Sequence, residues 1–477
     1  MHINFQRIYL FAHIIIPLTL SMLTLSKVES FLLLPYILLS LVSTSTLAIN
    51  CTTPFDEDQP KFLYIFSLLV ILGSWFKFSM YKVLELNEFR EPIGSFILGS
   101  NSESQVLWIC FIGILAIFIT SLISKFLPNS KELSRFDSST NYLTALLLFI
   151  STLILSFINL KYNILLFAIK PDVILPFKGN VIFFLLLTRG LPFLYLYFCL
   201  KKFNLFYIFI GSLIFSISSI GVLSRLGILI YFIIILLLTL KSITSWSVKK
   251  SVKNILMLAL IFSFSTYLNV SIATGARDYL MANASNLENS TTDSAVTEVI
   301  SKSTDSNKIK MLKDLALGRW IGIEGVMAVV AYPHKSFTLL AEAFSEKSYN
   351  GNSFYSKIVD IKSSEISRVV STSVPGPIAF YYYSGSIIFV FFALLISTLL
   401  FVITEKGLIR LYGGFNPALA LVISFLALDY HQFGIAPLAF VKYCLITVLG
   451  SVIFYIPIRF KLIKSYLTQY SWPFGKN

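Results

Sequence analysis

Charge is what this sequence has least of. Only 13% of its 477 residues are Asp, Glu, Lys or Arg, about half the share found in soluble domains. With 56% hydrophobic and 15% aromatic residues and a mean hydropathy of +0.79, an ordinary soluble globule is excluded. Cysteine is scarce as well. Cys51, Cys110, Cys199 and Cys444 stand singly, three of them inside apolar runs, which argues against both a disulfide framework and a thiolate metal site. The four histidines form no cluster. There is no phosphate loop, no HExxH and no GxSxG in a strand-to-helix setting, so any chemistry must come from isolated polar groups at a membrane boundary.

What fills the chain instead is apolar runs, most of them near the 20 residues that cross a hydrocarbon core about 30 Å thick as a helix. They lie at 8–25, 30–49, 62–80, 105–127, 141–160, 180–200, 204–223, 226–240, 253–274, 377–403, 416–430 and 435–458. Uninterrupted runs exclude a β-barrel, whose strands alternate. The fold class expected is all-α, a polytopic transmembrane bundle of about twelve spans. The first run has no small-residue cleavage site after it, so it reads as a retained helix rather than a signal peptide.

The net charge of +14 would suggest nucleic acid in a soluble protein, but here Lys and Arg gather at the ends of spans and set topology. Lys201-Lys202, the group Lys241, Lys249, Lys250 and Lys253, the pair Lys406 and Arg410, and the tail from Arg459 all fall on one side of a twelve-span chain. That side is cytoplasmic by the positive-inside rule, with both termini on it. The acidic run 56–58 falls on the same side, which carries little weight in that rule. The chain thus divides into three regions: 1–274 with nine spans, a long extracytoplasmic loop at 275–374, and 375–477 with three spans and a tail. Residues 282–307 are polar and suggest mobility, whereas 309–368 show helical spacing of apolar residues such as Leu339, Leu340 and Ala343, as amphipathic helices would.

Several charged groups stand out against this background. Arg225, in the Ser224-Arg225 turn between two spans, puts a guanidinium at the outer surface, the unexpected side, where it suits an anion such as phosphate. Arg189 lies inside the sixth span in LLLTRGLPF, a costly depth that favours a cavity or a partner. Arg277 leaves the ninth span. Arg319, Glu324, His334 and Lys335 belong to GRWIGIEGVMAVVAYPHK, residues 318–335. Its glycines, Gly318, Gly322 and Gly325, form a stripe for close backbone approach, and its apolar part is too short to span, so it is expected at the outer boundary. His334 has a side chain suited to proton transfer. His431, beside Asp429, reads as a satisfied interfacial histidine. Tyr381, Tyr382 and Tyr383, after Pro375-Gly376-Pro377, suit an aromatic belt or stacking on sugars.

The SR turn before a long aliphatic span, the single long outer loop late in the chain, GRWIGIEG at 318–325 and PGPIAFYYYSG at 375–385 together resemble the polysaccharide polymerases of the O-antigen polymerase (Wzy) type. Those are similar in turn to the O-antigen ligases. The resemblance implies a GT-C-like, metal-independent glycosyltransferase of the bacterial inner membrane that needs no cofactor. Its substrate would be an undecaprenyl-diphosphate-linked oligosaccharide, its surroundings membrane lipids, and its partner a possible chain-length regulator, with no nucleic acid involved. Arg225, Arg277, Arg319 and Arg189 would bind the diphosphate. Glu324 or His334 would take the acceptor proton, and Tyr381 and Tyr382 would touch sugar or lipid. A transporter or flippase is the rival of a different class, but the sequence shows neither two similar halves nor corresponding broken helices.

Overall fold

The computed structural model of the chain describes residues 5–56, 59–86, 89, 91–128, 142–166, 171–200, 203–224, 226–243, 246–288, 320–346, 353–359 and 374–459, with the backbone alone at 5, 248, 274, 277–288, 454 and 456–459. All regular structure among these residues is helical. Helices α1 (Phe5–Leu25) and α2 (Leu33–Asn50) precede a rod of three parts: α3 (Lys61–Ile71), a π-turn (Leu72–Phe76) and α4 (Lys77–Val83). After α5 (Asn101–Phe126) and α6 (Tyr142–Tyr162) comes a second such rod: α7 (Gly179–Leu185), a π-turn (Leu186–Gly190) and α8 (Leu191–Phe198). Next in the chain are α9 (Leu205–Gly221), α10 (Leu226–Ile243) and α11 (Val248–Glu288). Four short helices, α12 (Ile323–Ala331), α13 (Phe337–Phe344), α14 (Phe354–Ile358) and α15 (Pro377–Tyr381), lead to α16 (Ile387–Tyr412), α17 (Pro417–His431) and α18 (Pro437–Arg459).

Nine helices among the described residues are long and apolar enough to cross a membrane, and three shorter apolar ones, Leu205–Gly221, Pro417–His431 and Pro437–Ile453, stand beside them. Large apolar side chains point outward: Phe11, Met22, Phe157, Ile388, Leu400 and Ile453 are each more than half exposed. Water would not tolerate so much exposed hydrocarbon, whereas lipid solvates it. The chain is thus a multi-pass helical membrane protein.

The π-turn in the second rod has a local cause. Pro192 has no N–H for the Thr188 carbonyl one turn back, and its ring crowds that turn. The ladder widens there, with Leu191 N–H donating to the Leu186 carbonyl five residues earlier. Lys77 N–H makes the same longer bond to Leu72 in the first rod.

The core is built around α5, which packs most extensively on α2 and α16 and also carries α12. Polar pairs cross these interfaces: Asn50 Nδ2 donates to Ser121 Oγ (3.0 Å) and Ser67 Oγ (3.2 Å), and Trp75 Nε1 to Ser40 Oγ (2.9 Å). In lipid such groups have no water to turn to, so they pin helix to helix. Glu405 of α16, fully buried, accepts from the first two backbone N–H groups of α3, Lys61 (2.7 Å) and Phe62 (2.8 Å). A carboxylate at a helix N-terminus satisfies otherwise orphaned donors and opposes the dipole.

Three expectations are corrected. The span placed at 377–403 begins ten residues later: Gly385 takes a left-handed φ of 73° and Ser386 caps α16, so 377–384 form separate short turns. Tyr381, Tyr382 and Tyr383 are 7%, 2% and 0% exposed and are packing groups rather than a belt at the lipid headgroups. The helix assigned to 253–274 continues to Glu288. The short helix expected at the outer boundary is enclosed by protein: Ile323 to Val330 are buried all round, because the α12 segment packs against α5 and α15. Glycine makes that possible. A Cβ on Gly73 would lie 1.8 Å from the Ile321 carbonyl oxygen, and one on Gly325 would lie 2.2 Å from that of Pro375. Residues 289–319, with Gly318, the apolar positions from 309 and most of the polar stretch 282–307, lie outside the described residues.

These contacts set up a comparison between glycines. Gly73→Ala and Gly325→Ala should each lower the thermal midpoint of the detergent-purified protein, at a cost of about 1–3 kcal/mol for overpacking. Gly407→Ala, in the interior of α16 with nothing within 4 Å, should leave the midpoint unchanged or raise it. Equal behaviour of all three in a fluorescence-detected melting series would remove the close-approach explanation.

Candidate functional site: two polar clusters beside π-turns

Lys77 is the first residue after the first π-turn, and its side chain is directed into protein. Its Nζ lies 2.5 Å from Glu324 Oε2 and donates to the Trp320 carbonyl at 2.9 Å. Tyr81, one turn along α4, donates to the other carboxylate oxygen, Oε1, at 2.7 Å. The Lys77 and Glu324 side chains are 0% and 1% exposed. Burial pushes the Glu324 carboxyl above its ordinary range, while the Lys77 ammonium and the Tyr81 hydroxyl pull it back. Glu324 also sits in the first turn of α12, where negative charge meets the positive end of the helix dipole. Both oxygens being engaged, Glu324 anchors α12 to α4 and is closed to a sugar hydroxyl in this arrangement.

The other end of α12 is polar too. Pro333 comes just after its last turn, and Lys335 reaches back to the Val330 (2.8 Å) and Tyr332 (2.5 Å) carbonyls, capping the negative end. The Lys335 ammonium also stands 5.9 Å over the ring of Tyr382, whose hydroxyl accepts from Gln105 Nε2 at 2.6 Å. Burial lowers Lys335 and raises Tyr382 from their ordinary pKa values. His334 is exposed and meets the Tyr332 ring edge-on at 5.9 Å. A helix of nine residues separates these two ends by about 12 Å.

The second cluster is built on the other π-turn. Arg189 Nη2 lies 2.8 Å from Asp429 Oδ2 of α17, Nη1 donates to Thr447 Oγ1 of α18, and the guanidinium stacks 4.3 Å over Phe425. The pair lies beside a cleft of about 270 Å³ between the second rod, α17 and α18, lined by Leu186, Arg189, Phe193, Leu421, Phe425 and Thr447 among others. Gly190, next to Arg189 in the widened turn, also lines the cleft. Unlike the first cluster this one is not sealed, with Arg189 and Asp429 side chains 16% and 19% exposed.

The end of α17 touches both neighbourhoods. Asp429 meets Arg189, while His431 faces a small cavity shared with Ser74, Cys110, Gly322 and Val326. His431 is 5% exposed and its Nδ1 has no hydrogen-bond partner among the described residues. It is therefore a buried histidine, not a satisfied interfacial one, because the segment at 374–384 covers it. Of the other residues named from the sequence, Arg225 and Arg319 lie outside the described residues, and Arg277 falls on the extended part of α11, where the backbone alone is described. Tyr381 is enclosed with its hydroxyl 3.3 Å from that of Tyr430. Lys77, Tyr81, Gln105 and Thr447 were not anticipated. For Lys77 the signal was present: a lysine within an apolar run, as costly there as Arg189 is in its own.

No protein-family model, curated protein or solved structure matches the chain. The class that its fold and clusters define is a multi-pass helical membrane protein with ionisable side chains held between its helices.

The sealed pair generates a prediction by double-mutant cycle. Lys77→Met alone should destabilise by about 3–5 kcal/mol, because it strands a buried carboxylate. Lys77→Met combined with Glu324→Leu should recover most of that loss in thermal unfolding. Strictly additive losses would show that the two side chains are not coupled.

Proposed function

We propose that this chain is a polysaccharide polymerase of the O-antigen type, working at the outer face of a bacterial inner membrane on polyprenyl-diphosphate-linked oligosaccharides. In this reading α9, α17 and α18 also cross the membrane, giving twelve spans with both termini cytoplasmic. The observation that carries it is Arg189, a permanent cation lining an apolar cleft between spans, the combination needed for a hydrocarbon chain ending in a phosphate.

In the reaction the acceptor hydroxyl oxygen bonds to the anomeric carbon of the donor glycan as the bond from that carbon to the carrier diphosphate breaks. The diphosphate leaves with the bonding pair, and the hydroxyl proton passes to a base. Guanidinium groups stabilise the departing charge: Arg189, and from the sequence Arg225, Arg277 and Arg319. His334 is the exposed candidate base. Glu324 would first have to leave Lys77 and Tyr81. Tyr382, proposed from the sequence as a sugar or lipid contact, is packed under Lys335 and only 2% exposed.

One observation favours a second reading, transport. Two rods are interrupted by π-turns, and each carries a charged side chain at the break, Lys77 and Arg189, as in transporters with broken helices.

The two readings separate in the source cell. With membrane levels of the protein matched, Arg189→Ala should remove the long ladder of surface polysaccharide on a gel and leave single capped repeat units. His334→Ala should do the same if it supplies the base, by a rate loss of about 100-fold or more. Loss of capped single units as well would point to transport or ligation, told apart by whether carrier-linked glycan accumulates on the outer side. An unchanged ladder in the Arg189 variant would sink the polymerase reading.

A further inference from the structure

Two of the ion pairs among the described residues, Lys77–Glu324 and Arg189–Asp429, differ in a way that bears on ligand exchange. Lys77 and Glu324 are sealed, 0% and 1% exposed, and both carboxylate oxygens are engaged. Arg189 and Asp429 are 16% and 19% exposed and meet through a single oxygen, Oδ2 on Nη2 at 2.8 Å. A guanidinium can offer a carboxylate or phosphate two parallel N–H groups. Here the fork is divided, with Nη1 given to Thr447 and the flat face to Phe425. Arg189 is thus neutralised but not fully committed.

The cleft beside it has the matching shape. Its walls are hydrocarbon from Leu186, Phe193, Leu421, Phe425 and Ile446, and its polar groups include Arg189 and Thr447, the two that also bind each other. Asp429 holds the guanidinium without being one of the groups that line the cleft. An uncompensated arginine within a membrane protein is costly, which favours an anion beside it, either from the protein or from a ligand.

We propose that Asp429 is an internal stand-in anion, which occupies Arg189 until the phosphate head of an amphiphile seated in the cleft replaces it. This rests on the reading of the cleft given under Proposed function and adds a competitor to it. In the empty state Asp429 neutralises Arg189. When a phosphate arrives, Nη2 passes from Asp429 to a phosphate oxygen, Thr447 remains beside it, and the tail lies along Phe193 and Leu421. Asp429 sets the affinity by competing: the apparent constant is the intrinsic one weakened in proportion to the small fraction of protein in which Arg189 is free. It is a specificity-determining residue, since a weakly anionic or neutral head cannot displace a carboxylate.

The sign of one substitution decides the matter. A residue that merely positions Arg189 would, on removal, weaken ligand binding, whereas a competitor would strengthen it. Binding of dodecyl phosphate, dodecanol and inorganic phosphate is measured by calorimetry on the full-length protein in a neutral detergent, with monodispersity checked by size exclusion. Dodecyl phosphate should bind the unaltered protein. Asp429→Asn should tighten it by about tenfold, Asp429→Ala should change it in the same direction, and Arg189→Met should abolish it. Dodecanol and inorganic phosphate should bind far more weakly throughout. Weaker or unchanged binding in both Asp429 variants overturns the proposal. Dodecanol binding as tightly as dodecyl phosphate overturns it as well, since the head would then not be read. Inorganic phosphate binding as tightly as the amphiphile would overturn the proposed occupant in favour of a free anion. Because the measurement needs no glycan transfer, tightening in Asp429→Asn together with an intact polysaccharide ladder in Arg189→Ala would uphold the exchange and dismiss the polymerase.

Discussion

A peptide group in lipid has nowhere to place its N–H and C=O except inside its own helix, and the rest of this structure depends on that constraint. The helical ladder is broken cheaply only where the widened turn is closed by its own longer bonds. Both π-turns meet that condition, with Lys77 bonding back to Leu72 and Leu191 to Leu186. The extra residue in each wide turn shifts the register of the helix beyond it. A charged side chain stands at each of these places, Lys77 and Arg189, and each has its counter-charge on another element.

The clusters use their partners differently. At Lys77, Tyr81 and Glu324 every strong donor and acceptor is satisfied within protein, and the gain is position: α12 is fixed to α4 by a bond that breaks only at a large desolvation cost. At Arg189 and Asp429 the same chemistry is left partly open beside a cleft. Exposure of some 16% instead of none separates an anchor from a site where a ligand can compete.

Much of the fold was legible in the sequence because lipid imposes length and apolarity on each helix. Runs such as 105–127 and 141–160 correspond closely to α5 and α6. What escaped was the part of the chain where that rule is silent. The stretch around Glu324 is short, apolar and glycine-bearing, and from sequence it could as well lie on the membrane as inside the protein. It is inside because Gly73 and Gly325 let the backbones of Ile321 and Pro375 pass within van der Waals contact, and the first of these pairings joins segments so distant in the chain that no local pattern encodes it. The tyrosines at 381–383 misled for the same reason: an aromatic cluster beside a span reads as a belt unless the covering segment is known. Arg189 was legible as a charge at depth, but its partner Asp429 sits 240 residues away, beyond the reach of spacing arguments.

The rod from Lys61 to Val83 is fastened at both ends, by Glu405 at its first two amides and by Glu324 at Lys77 and Tyr81. The two carboxylates come from different elements, one from α16 and the other from α12. The rod is therefore tied to α16 at its start and to α12 near its end. If α12 is to lift from the bundle the bonds at Glu324 must release, and the wide turn at Leu72–Phe76 lies between those bonds and the ones at Glu405.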